Sequence, residues 1–279
     1  MGLRTLLCVT LLLHYVTACV CARLRSSIIG GHDAHKGAWP WMVYLEMFRV
    51  PVHHISNIKC GGSLISDQWV MTAGHCWNEE VDLKRSFARV GELSLKEPSG
   101  TLVKLKRVVV HPDYSYQEKE GMIYNDMALV QLQDTVSFSH TVKPVDLPSP
   151  RDIRSDAECW VTGWGHVAEN KPLGGKETLQ EVRVSLVDDI TCRRLFPKMT
   201  DGMTCAGDLN LNRGKDACSN DSGGPLVCVP AGDEKRRFVQ VGIVSFGKGC
   251  GRKGRAGVYT YTPHYAQFIH KTINTTYTP

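Results

Sequence analysis

The chain has 279 residues, 42% hydrophobic and 22% charged, with 26 Gly and 13 Pro and a formal net charge of +5. That ordinary globular composition supplies a core for one large domain or two small ones, and no internal repeat or low-complexity tract interrupts it. The basic excess gathers at Lys104, Lys106 and Arg107, at Lys235, Arg236 and Arg237, and at Arg252, Lys253 and Arg255. Such clusters are usually solvated loop faces. Affinity for a polyanion such as heparin is the other expectation, with no nucleic-acid partner.

At the start, Arg4 precedes an apolar run from Leu6 to about Val20 that closes on Val20, Cys21 and Ala22. This is a secretory signal pattern over residues 1–22, with cleavage expected after Ala22 and a short propeptide at 23–27. A membrane anchor is the alternative, but the run is shorter than the roughly 20 apolar residues a span needs, and it contains His14. The mature chain is thus expected to be secreted, extracellular or in a secretory granule, with no membrane span.

Beyond the signal, short β-branched or aromatic runs alternate with Gly, Pro, Asp and Ser: WMVYLEMF, GGSLIS, QWVMTA, KLKRVVV, MALVQL, ECWVTGW, QEVRVSLV, PLVCV, FVQVGIVSF and GVYTY. Many short strands at this spacing predict an all-β barrel or sandwich. Helix is expected only around Asp189 to Phe196 and from Tyr265 to about Ile273, and a crossing segment near 141–158, where Pro144, Pro148 and Pro150 cluster.

Of 11 cysteines, Cys8, Cys19 and Cys21 fall in the signal, leaving Cys60, Cys76, Cys159, Cys192, Cys205, Cys218, Cys228 and Cys250. An even set in a secreted chain predicts disulfides, and spacing alone does not choose among about 105 connectivities. No CxxC pair or HExxH supports a zinc site, so no metal and no cofactor is expected.

Three polar residues stand out beside glycine or cysteine: His75 in TAGHC, Asp126 in NDMALV and Ser222 in NDSGGP. A serine hydroxyl is a weak nucleophile until an imidazole takes its proton, and the imidazole needs a carboxylate to hold its tautomer. Singly, His75 reads as a structural histidine, and Asp126 and Ser222 as turn residues. Together they read as a nucleophile, its base and an orienting acid.

IIGG at 28–31, CGGSLIS at 60–66, TAGHC at 72–76, NDMALV at 125–130, CWVTGWG at 159–165, CAG at 205–207, DSGGPLVC at 221–228, VSFG at 244–247 and GVYT at 257–260 resemble the chymotrypsin and trypsin family of serine endopeptidases. GAWPWMV at 37–43 is similar to its tryptase-like and acrosin-like members. The resemblance implies two six-stranded antiparallel β-barrels with a C-terminal helix over residues 28–279. It implies His75 as general base, Asp126 as its carboxylate, Ser222 as nucleophile, and the N–H groups of Ser222 and Asn220 as oxyanion hole. Ser245 is similar to the serine that bonds the triad carboxylate. The implied disulfides are Cys60 with Cys76, Cys159 with Cys228, Cys192 with Cys205, and Cys218 with Cys250.

Asp216, six residues before Ser222, falls where the family's specificity pocket has its floor, with Gly247 and Gly257 at the walls. A carboxylate there implies protein or peptide substrates cut after Arg or Lys. Ala217 offers no hydroxyl to a Lys ammonium, whereas a guanidinium binds a carboxylate bidentately, so Arg is favoured. Cleavage before Ile28 by an activating protease would free an ammonium to pair with Asp221.

The chain departs from the family pattern in places. Ser27, not Arg or Lys, precedes Ile28, so either the activator has another specificity or a cut after Arg25 is followed by removal of Ser26 and Ser27, as granule proteases of the family are prepared. Asn220 replaces the usual glycine, which keeps the backbone donor but crowds the leaving-group side. Gly74, Phe246 and Ala256 are smaller changes. The family's calcium loop is incomplete, with Glu92 present and the later acids replaced around Pro98 to Thr101. Asn274 in NTT is a glycosylation acceptor by pattern. A catalytically silent binding homologue is the rival reading.

Overall fold

The computed structural model describes residues 30–50, 57–148, 156–168, 170–209, 217–218, 220–230, 232–247, 249 and 253–275. In chain order the first half holds β1 (His32–Asp33), β2 (Met42–Arg49), β3 (Ile58–Leu64), β4 (Trp69–Thr72), β5 (Val81–Val90), β6 (Thr101–Val110), β7 (Ser115–Gln117), β8 (Met122–Tyr124) and β9 (Ala128–Leu132). The second half holds β10 (Glu158–Gly163), β11 (Gln180–Val184), β12 (Leu186–Val187), α1 (Asp189–Leu195), β13 (Met203–Ala206), β14 (Pro225–Val229), β15 (Val239–Gly247), β16 (Gly257–Tyr261) and α2 (Ala266–Asn274).

Six strands close into a barrel in the order β2-β3-β4-β9-β6-β5, and every pairing is antiparallel. Its interior is filled by Val43, Leu45, Leu64, Val70, Val130 and Leu132, all essentially inaccessible. The small interior residues Ser86 and Ala88 of β5 leave room for these larger side chains. Burying a side chain the size of Leu contributes about 1.5–3 kcal/mol, so this interior dominates the stability of the first half.

The second half is an eight-stranded sheet in the order β1-β11-β10-β14-β15-β16-β13-β12, and among the described residues only the first barrel is seen to close. The chain switches partners at Ser185: β11 pairs with β10 on one side and β12 with β13 on the other, with Gly207 N donating to Ser185 O at 2.9 Å. The edge strands β1 and β12 are two residues each, too short to zip a seam. The result is a curled half-barrel over Val161, Leu226, Val241 and Tyr259.

The halves are tied by buried polar contacts, with Ser63 Oγ donating to Gln240 Oε1 at 2.5 Å and Thr162 Oγ1 meeting Met42 Sδ at 2.9 Å. The C-terminal helix α2 buries Ile269 and lays Phe268 4.8 Å from the His111 ring of the first half. Both expected helices form. Three of the implied disulfides are present, Cys60–Cys76, Cys159–Cys228 and Cys192–Cys205. Cys218 is disulfide-bonded, while Cys250 lies outside the described residues.

Candidate active site

The antiparallel pair β4 and β9 sets the site's geometry. Thr72, the last residue of β4, lies opposite Ala128, the first of β9. The chain just past β4 and the chain just before β9 therefore meet at one end of the barrel. His75 stands on the first of these, in a single 3-10 turn Gly74–Cys76 pinned to β3 by Cys60–Cys76. Asp126 stands on the second. Asn125 before it takes a left-handed φ of 49°, which asparagine accepts more readily than most residues. Asn125 Nδ2 donates to Asp113 O at 2.8 Å, and its Oδ1 accepts from Tyr265 at 3.1 Å. Burial, with the Asp126 charge second, pushes the Tyr265 phenol up to about 12, so it stays a donor.

Asp126 is 1% exposed and accepts from several directions. Oδ1 takes the backbone N–H of His75 at 2.8 Å, and Oδ2 lies 2.8 Å from His75 Nδ1 and also receives the Ser245 hydroxyl. Its carbonyl accepts Thr260 Oγ1 at 2.7 Å. A register shift in β15 between Val244 and Phe246 turns Ser245 toward it, a common use of a bulge. Desolvation opposes charge on both members of the His75–Asp126 pair, but each is outweighed by the other's charge and hydrogen bonds. The imidazole is raised and the carboxyl lowered, with Ser245 adding to the latter.

Ser222 reaches the same place from the half-barrel. Its carbonyl accepts Gly61 N at 2.8 Å, and Gly223 N donates to Val244 O at 2.9 Å. Gly223 has φ +80°, and a Cβ there would stand 2.1 Å from Thr72 Oγ1 and 2.5 Å from Gly61 O. Only glycine lets this turn press against the strand end that leads to His75. No hydrogen bond joins the Ser222 hydroxyl to His75 among the described residues. Contacts of that kind commonly tighten only when substrate is bound.

Asn220 takes φ +71° and is exposed. Asp221 is fully buried, with Oδ1 accepting Gly165 N at 2.9 Å and Oδ2 accepting Cys218 N at 3.0 Å. Burial outweighs both bonds and pushes its carboxyl up to about 7. Gly163 and Gly165 line its cradle, where a Cβ would stand 2.0 and 2.5 Å from the carboxylate. Among the described residues no cation faces Asp221. Ile28, its expected partner, and Asp216 lie outside the described residues.

Gly247 and Gly257 are Cα partners across β15 and β16. A Cβ at Gly247 would meet only backbone atoms, the nearest at 3.6 Å, so that side of the strand is open. Phe246 packs edge-on against Phe196 with centroids 6.1 Å apart. The Glu92 carboxylate accepts the N–H groups of Leu93, Ser99 and Gly100 at 3.0–3.3 Å. It thereby ties the loop from Leu93 to Gly100 back onto the end of β5. A separate cavity of about 590 Å³ is lined by Leu186, Asp189, Arg193, Met203 and Tyr261, and touches none of these residues. The convergence on Asp126 is the stronger pointer to chemistry.

A family model described as Trypsin matches residues 28–269. The chain belongs to the trypsin family of serine proteases. In the trypsin-family chain the sequence alone brings out His75, Asp126, Ser222 and Ser245, which the fold gathers. It gives no role to Asn125, Thr260, Tyr265 or Gly165. Asn125 is visible inside NDMALV, but only the left-handed backbone before Asp126 singles it out. Thr260 and Tyr265 act across the interface between the halves, which no local pattern reports.

Proposed function

We propose that this trypsin-family chain is a secreted serine endopeptidase, made as a precursor, that hydrolyses peptide bonds after Arg and less readily after Lys. The arrangement of His75 and Ser245 around the buried Asp126 carboxylate is the observation that supports the reading most. In it, the Ser222 oxygen attacks the scissile carbonyl carbon while its proton passes to His75 Nε2. His75 then gives that proton to the departing amine, leaving an acyl-enzyme. Water repeats the sequence and frees Ser222. The buried Asp126 charge stabilises the imidazolium at each step. The N–H groups of Ser222 and Asn220 receive the oxyanion, an interaction worth about 100- to 1,000-fold per donor.

Asp216 is assigned the pocket floor, with Ser245 and Gly247 along β15 and Gly257 facing them from β16. The 1–22 signal and 23–27 propeptide are removed, and Ile28 then pairs with Asp221 in its glycine cradle. The activating protease acts before Ile28, or a dipeptidyl peptidase finishes a cut after Arg25. The test is hydrolysis of matched arginyl, lysyl and phenylalanyl chromogenic peptides by protein engineered to begin at Ile28, with Ser222→Ala as control. Rapid arginyl turnover lost in the control supports the proposal. No turnover from a correctly started protein favours the silent binding homologue, a reading motivated by Asn220 and Ser27.

A further inference from the structure

The three basic clusters differ in their surroundings. Arg236 pairs with Glu158 at 2.8 Å and Arg237 with Asp233 at 3.1 Å, so that cluster is compensated. Arg252 lies outside the described residues. Lys104, Lys106 and Arg107 lie on β6, and none has an acidic partner among the described residues.

Strand pairing enlarges this last cluster. Ser86, Ala88 and Val90 of β5 and Val103 and Leu105 of β6 point into the barrel, so alternation puts Arg85 and Arg89 on the outer face with Lys104 and Lys106. Phe87 lies opposite Lys104, and Arg89 opposite Leu102. Lys84 closes the patch, its carbonyl accepting Lys104 Nζ at 3.2 Å. The guanidiniums are held in place. Arg85 lies 5.3 Å from the Phe48 ring centroid, Arg89 5.4 Å from Phe87 and Arg107 5.3 Å from Trp69, while Arg107 Nε donates to Gln131 at 2.8 Å. Two acids adjoin the patch, Glu46 opposite Phe87 and Asp82 opposite Phe48. Glu46 accepts Asn57 Nδ2 at 3.0 Å and Asp82 Oδ1 accepts Lys84 N at 3.0 Å, and among the described residues neither forms an ion pair with the cations of the patch.

We propose that the outer face of β5 and β6 binds a linear sulfated polysaccharide. Cations two residues apart on a strand stand about 7 Å apart, and neighbouring strands about 5 Å apart, which gives a row of point charges for successive sulfates. Stacked guanidiniums keep N–H edges free for bidentate contact with sulfate oxygens. Nucleic acid is disfavoured because the Phe48 and Phe87 faces that bases would stack on are covered by Arg85 and Arg89.

The test is binding of the intact protein to a defined-length heparin oligosaccharide across a salt series. The triple variant Arg85→Ser, Lys104→Ser, Lys106→Ser is compared with Lys235→Ser, Arg236→Ser, Arg237→Ser, which removes the same charge. The first is expected to lose about tenfold or more in affinity near physiological salt and to show a shallower salt slope, the second to stay within about twofold. Equal losses, no loss, tighter binding to a DNA duplex, or undiminished binding to unsulfated hyaluronan would each overturn the proposal. Should the first triple unfold, Lys106→Glu at its exposed position carries the same expectation. Binding is read without reference to peptidase activity, so the outcome is independent of the proposed function.

Discussion

Ser245 donates its hydroxyl to the same oxygen of Asp126 that faces His75 Nδ1. The carboxylate thus belongs to one half of the molecule while one of its three donors comes from the other. Ser245→Ala removes a hydrogen bond to a charged, 1% exposed group, a loss of about 1.5–3 kcal/mol. The expected result is a tenfold or greater fall in kcat/KM on a small arginyl substrate, mostly in kcat. Ser245→Thr, which keeps the hydroxyl, should retain more activity than Ala.

In the proposed mechanism Asp126 also sets the acid limit of activity. Proton transfer needs neutral His75, and the imidazole pKa is raised because the Asp126 charge and hydrogen bond exceed the cost of burial. Asp126→Asn leaves burial without that compensation. The acid limb of a kcat/KM profile should then move to lower pH, and kcat should fall about 10,000-fold as the tautomer is lost. A limb that stayed in place would show that Asp126 does not tune His75.

Most of the first barrel is legible in the sequence because its strands carry bulky apolar residues at alternate positions. The ten-residue β5 escapes that pattern. Its interior positions include only Ser86 and Ala88 between Val81 and Val90, and Lys84 and Arg85 break the alternation. The switch of partners at Ser185 is equally hidden, since QEVRVSLV looks like one continuous strand. The motifs that carry His75, Asp126 and Ser222 are readable because His75 and Ser222 lie beside a glycine or cysteine that the turn requires, and Asp126 opens an apolar strand run. What holds Asp126 from outside its own strand, Thr260 above all, depends on which strands the fold makes neighbours.

Asn220 sits at φ +71°, a backbone region glycine enters freely and asparagine at modest cost. The side chain is exposed, so its removal opens the leaving-group side without deleting the N–H donor. Asn220→Gly should raise sensitivity to a bulky protein inhibitor about tenfold while changing turnover of a small chromogenic peptide only a few-fold. Equal and unchanged inhibition would mean that the side chain does not obstruct the cleft.

Under the proposed activation at Ile28, Asp221 makes the stability of the precursor depend on pH. Its carboxyl is raised from 3.8 to about 7 by complete burial. A group whose folded pKa is raised contributes stability fully present below the unfolded value and lost as pH rises through the folded one. A precursor without an ammonium facing Asp221 should therefore weaken between about pH 4 and pH 7. A rise of that size corresponds to roughly 4 kcal/mol at most. Protein beginning at Ile28 supplies that ammonium in the proposed pairing, which favours the ionised form and should flatten the dependence. The measurement is the urea midpoint of both forms across pH 4 to 8, with Asp221→Asn as reference. The precursor should lose stability with rising pH, its Asp221→Asn variant should lose much less, and the Ile28 form should hold steady up to neutral pH. If precursor and Ile28 form trace the same curve, the buried carboxylate is not the receptor for the new N-terminus.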